Sequence, residues 1–129
     1  MTQDLVQWLH AQLDEDERIA RAAGGLAWSR SPDYLGDPAA IRDSEQERVV
    51  CYEGWPSEGQ AVHIAAWDPA RVLREIDSKR RIIAEHERYA AERRRMMGGW
   101  DPQSDDSPIL AALAAVYADR PGYREEWRP

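Results

Sequence analysis

Residues 67–97 leave this chain little freedom in how it can fold. Asp68 followed by Pro69 opens a helix: the carboxylate can cap the first turn, and a proline at the first helical position gives up no hydrogen bond. Gly98-Gly99 closes it. Between them, Val72, Leu73, Ile76 and Ile83 recur at helical spacing. A second apolar stripe, Ile82, His86, Tyr89 and Met96, is shifted around the axis. Twenty-nine residues at the helical rise span about 43 Å, whereas a compact chain of this length is on the order of 35 Å across. An unbroken helix should therefore overhang at its Arg93-Arg94-Arg95-Met96-Met97 end, inviting a second copy or another protein; the alternative is that the helix frays earlier or kinks.

The other segments are shorter and are expected to pack around this helix. The expectation is one α+β domain over 1–129: mainly helical, with one long central helix, three further helices and a small antiparallel sheet of two or three strands. Leu5, Leu9 and Leu13, then Ile19 and Ala23, predict a first helix over 3–23, with Thr2 as its cap and Gly24-Gly25 as its stop. Residues 26–53 read as a β meander. Trp28 lies in its first strand and Ile41 in its second. Arg48-Val49-Val50-Cys51-Tyr52 is the strongest strand. Ser57 with Gln60 is a capping-box pattern and predicts a short helix over 58–66 that buries Ala61, Ile64 and Ala65. Ser107-Pro108 repeats the cap-and-proline start for an apolar C-terminal helix with Leu110 and Tyr117. Over 107–129 the helix is followed by a tail.

Charge is distributed unevenly. Residues 68–96 carry nine Lys/Arg and six Asp/Glu, a net of +3. The other residues carry the remaining eight and eighteen, a net of −10 that brings the total to −7. Acidic neighbours are expected to offset the basic helix; the Asp14-Glu15-Asp16-Glu17 run is either a solvated surface or faces that helix. No apolar run reaches membrane-spanning length and Met1-Thr2-Gln3-Asp4 is no signal peptide, so a cytoplasmic protein without a membrane partner is expected. Cys51 is the only cysteine, which excludes an internal disulfide. Six Trp and five Tyr with no Phe place polar-tipped aromatics at the core edge or at an interface.

Three stretches carry a resemblance: Leu5 to Ala23; the block from Tyr52 to Ile83 with His63-Ile64-Ala65 and Asp68-Pro69-Ala70-Arg71-Val72-Leu73-Arg74-Glu75; and the ending Tyr117-Ala118-Asp119-Arg120-Pro121-Gly122-Tyr123-Arg124-Glu125-Glu126-Trp127-Arg128-Pro129. Together they resemble a family of small, functionally uncharacterised proteins, a domain of unknown function, from actinobacteria and their phages. The resemblance implies a phage or mobile-element setting and no particular activity. Many members it resembles carry a second His before the Asp-Pro and a Cys-x-x-Cys before the final helix, residues that look like zinc ligands. This chain keeps His63 and His86, has Trp67 in place of the second His, and has no cysteine from Glu87 to Asp106.

The remaining chemistry is sparse. His63 and His86 are the metal candidates, but two histidines without a spaced third ligand are a weak signal, and no cofactor is expected. Cys51 with either histidine is a conceivable nucleophile and base, although a lone cysteine in a Val-Val-Cys-Tyr strand is ordinarily a small buried hydrophobe. Lys79-Arg80-Arg81 and Arg93-Arg94-Arg95 are interleaved with Glu75, Asp77, Glu85, Glu87 and Glu92. That pattern favours pairing along the helix over binding of nucleic acid. The leading reading is a non-enzymatic interaction or accessory factor with a protein partner or self-association through the long helix. Its surface is assigned to Arg80, Arg81, Tyr89, Arg93, Arg94, Arg95, Met96, Met97, Trp100 and Trp127. The alternatives are a metal-binding or small hydrolytic enzyme using His63 and His86, and an acidic mimic of nucleic acid.

Overall fold

In the computed structural model, residues 2–31, 40–50, 57–99 and 107–129 are described. Among them the elements run α1 (Thr2–Ala22), β1 (Trp28–Ser31), β2 (Ala40–Asp43), β3 (Arg48–Val50), α2 (Glu58–Ala66), α3 (Pro69–Met96) and α4 (Pro108–Ala115), then a 3-10 turn at Glu125–Trp127. This is the α+β architecture read from the sequence. Cys51, Tyr52 and Trp100 lie outside the described residues. No helix among the described residues is long and apolar enough to cross a membrane. The chain divides into two compact units, Asp16–Glu75 and Met1–Glu15 with Ile76–Pro129.

Helix ends follow their local chemistry. α1 takes in Thr2, which the sequence reading placed outside it as the cap, and stops one residue before Ala23. Its end is a Schellman closure: Gly25 N–H donates to Ala20 O and Gly24 N–H to Arg21 O, with both glycines at positive φ. α3 closes in the same way, with Gly99 N–H on Arg94 O and Gly98 N–H on Arg95 O. α2 starts on a complete capping box: Gln60 N–H donates to Ser57 Oγ at 3.2 Å, and Ser57 N–H donates to Gln60 Oε1 at 2.9 Å.

In the unit formed by Asp16–Glu75, β1, β2 and β3 pair antiparallel in that order, with Arg30 opposite Ile41 and Ile41 opposite Val50. Asp43 shapes the β2–β3 turn by accepting from Glu45 N–H and Glu47 N–H. Ile41 and Ala61 are fully buried, and Trp28, Val49, Val50, Ile64 and Ala65 pack around them, so α2 lies against the sheet on its Ala61 face. Asp68 joins two elements here. Its Oδ1 caps α3 by accepting from Arg71 N–H at 2.8 Å, and its Oδ2 accepts from Trp28 N–H at the start of β1 at 2.9 Å.

In the other unit, Leu5, Leu9 and Leu13 of α1, Ile76 and Ile83 of α3, and Leu110 and Ala114 of α4 are buried, together with Tyr117. Farther along α1, in the Asp16–Glu75 unit, Ala20 is buried and the expected Ile19 is exposed. Seven residues from Leu13 close two helical turns, whereas six do not. Arg80 Nη2 meets Asp14 Oδ1 at 2.8 Å, so the acidic run of α1 does offset the basic helix at this point.

Candidate interaction surface

The second half of α3 carries exposed apolar side chains. Ile82 is 44% exposed, Tyr89 61% and Met96 83%. The three are seven residues apart and so fall within about 40° of one another on the helix, on a line that Ile83, one residue on, does not share. His86 and Arg93 border this stripe on one flank. Glu85 and Glu92 border it on the other.

The assigned residues from Arg80 to Met97 divide into three groups. Tyr89, Arg93, Arg94, Arg95, Met96 and Met97 are exposed and lie together over the last two turns of α3. Arg88 covers the Tyr89 ring at 4.5 Å and bonds Glu85 at 2.8 Å. That hydrogen bond and the carboxylate's charge hold the guanidinium pKa above its ordinary value. Arg81 is exposed but paired along the helix with Asp77 at 3.0 Å. Arg80 is half-buried in its bond to Asp14, where it links α3 to α1.

Trp127 is a correction. It is only 7% exposed and cannot serve as an exposed contact. Its ring packs 5.3 Å from Trp8 and 5.9 Å from Tyr123. Trp8 Nε1 donates to Pro121 O at 3.1 Å, and Arg124 reaches both Asp4 and the Trp127 ring. The aromatic tail is thus clamped onto α1. The sequence offered two readings of Trp127, as part of the contact surface and as a tail aromatic tucked back onto the fold, and the second holds. The proline-glycine bend at Pro121-Gly122, which turns the tail back, was the available signal.

His86 and His63 have different surroundings. His86 Nε2 is 2.6 Å from Ser107 Oγ, and that oxygen also accepts from Leu110 N–H as the cap of α4. Nδ1 is buried without a hydrogen bond, 3.7 Å from Glu87 Oε1. A serine with a nearby imidazole resembles a nucleophile and its base. Here, however, Ser107 is buried and its oxygen is held by the helix cap, so the geometry serves as a lock between α3 and α4. The sequence marked Ser107 as a cap but gave no sign that it meets His86, which is 21 residues away.

His63, in the other unit, is exposed at the end of α2. Its ring lies 6.0 Å from that of Trp67, which Arg71 covers at 3.9 Å. Arg71 in turn bonds Glu75 at 3.1 Å. Among the described residues no three His, Cys, Asp or Glu side chains gather as a metal set.

Comparison with known proteins gives a family. Residues 2–129 match the family of unknown function DUF6221. No curated protein and no solved structure matches the chain.

Proposed function

We infer that the chain, which belongs to that family, works as a non-enzymatic interaction protein through the second half of α3. The observation that carries this reading is the aligned exposure of Ile82, Tyr89 and Met96 beside the cationic Arg93-Arg94-Arg95 end. Large side chains left in water on one line of a capped, well-formed helix cost solvation that a partner would relieve. An accessory or host-interacting role in a phage or mobile-element setting fits this reading; that setting rests on the sequence resemblance alone.

The test compares the wild-type chain with a Tyr89→Asp, Met96→Asp double variant in light scattering and in pull-downs. The wild type is expected to self-associate or retain a partner and the variant to lose it. A chain that stays monomeric at every concentration and retains nothing contradicts the reading.

A small hydrolytic enzyme is the second reading, favoured by one observation, the 2.6 Å approach of Ser107 Oγ to His86 Nε2. A serine-directed fluorophosphonate separates the two. The interaction reading predicts no labelling of Ser107, and labelling that disappears in His86→Gln would support hydrolysis instead.

A further inference from the structure

We propose that the occupant of the α3 face is a second copy of this chain, bound with the two α3 helices parallel and in register. The inference rests on the interaction reading above and adds the partner and its orientation.

The argument is one of symmetry and charge. The stripe Ile82, Tyr89, Met96 has unlike borders, His86 and Arg93 on one flank and Glu85 and Glu92 on the other. Two helices related by a twofold axis perpendicular to them run antiparallel, and like flank meets like flank. Glu85 would then face Glu92 of the other copy, like charge against like charge, and Arg93 would fall on the side where His86 of the other copy lies. A twofold axis along the helices instead brings the Arg93 side of one copy against the Glu92 side of the other at the same height. Arg93 then adjoins Glu92 of the second copy, and by symmetry Glu92 adjoins Arg93. The apolar residues meet like to like: Ile82 on Ile82, Tyr89 on Tyr89, Met96 on Met96. In heptad terms the three fill d positions, with Arg93 at a and Glu92 at the preceding g, which are neighbours across a parallel pair.

The neighbouring contacts leave Arg93 as the available a position of the pair. Ile76 and Ile83 face the core of their own unit, and His86 is tied to α4 through Ser107. The stripe itself remains open. It spans only two heptads, and one of its flanking core positions is an arginine, so the pairing is weak and depends on concentration.

Disulfide trapping tests the orientation. In a Cys51→Ser background, Met96→Cys replaces a side chain that is 83% exposed, so folding is unaffected. In-register parallel pairing predicts that oxidation yields a covalent dimer from Met96→Cys alone, and likewise from Ile82→Cys alone. If neither links alone but the mixture of the two does, the copies are antiparallel and the proposal is overturned. Charge exchange is the second measurement. By sedimentation, Glu92→Arg or Arg93→Glu is expected to weaken dimerisation about tenfold, and the double exchange to restore it. A double variant no better than the singles contradicts the pairing. If no variant dimerises while the Tyr89 face still retains another protein in pull-downs, self-pairing falls and the interaction reading stands.

Discussion

Asp68 shows how much one side chain can fasten. The sequence identified it as the cap of α3, because Asp-Pro before an apolar helical pattern has few other uses. Its second bond, to Trp28 N–H forty residues earlier, depends on where the sheet lies and could not be read locally. Asp68→Ala removes both acceptors and leaves two part-buried N–H groups without partners. It is expected to cost about 3 kcal/mol in urea unfolding, against about 1 kcal/mol for Ser57→Ala, which removes only one half of a solvent-exposed box. Gly122 is constrained in a different way. It sits at φ +88°, and a Cβ there would stand 2.7 Å from Trp8 Nε1. Gly122→Ala is expected to cost about 2 kcal/mol and to change the environment of Trp8, visible in its fluorescence. Glu125 carries a pH signature. Its hydrogen bond to Arg128, and then that cation's charge, lower its pKa from the ordinary carboxylate value. The folded state therefore favours the ionised form. The small stabilisation from this exposed pair is present at neutral pH and is lost as pH falls through the lowered pKa. An NMR titration should place Glu125 below ordinary glutamates in the wild type and return it to them in Arg128→Gln.

The helices were the most legible elements because their starts and stops are written in short local signals. Asp68-Pro69, Ser107-Pro108, Ser57 with Gln60, and the two Gly-Gly closures each act within a few residues and needed no tertiary knowledge. The three strands were legible from their alternating or β-branched residues and turn chemistry, while their pairing became visible only in the fold. What the sequence could not supply was the meeting of distant groups. His86 with Ser107 and Trp8 with the tail are set by how helices pack, and the tail contact reverses the assignment of Trp127 from surface to core. The lock between α3 and α4 yields its own prediction. Ser107→Ala deletes the cap of α4 and the partner of His86 together and is expected to cost about 2 kcal/mol. His86→Gln, whose side-chain amide can still meet Ser107 Oγ, is expected to cost less than half of that. Thermal unfolding of the two variants side by side checks the order.

At the scale of the molecule, the net charge of −7 conceals a basic helix, and α3 is where that contrast becomes useful. Its first half is capped by Asp68 and shares the buried residue Ile76 with the core. Its second half turns its apolar stripe to solvent between an acidic and a basic border. The shift in the stripe was visible in the sequence as a change in which positions were apolar. The borders acquire meaning only once Ile82, Tyr89 and Met96 are known to be exposed together. The most direct measurement is a photo-crosslinking amino acid placed at position 89 of the otherwise native chain, irradiated in the cell that produces it and read by mass spectrometry of the linked peptides. A product of twice the chain mass, joined α3 to α3 around position 89, is the predicted result. A chain that yields no linked product at any expression level would contradict the account.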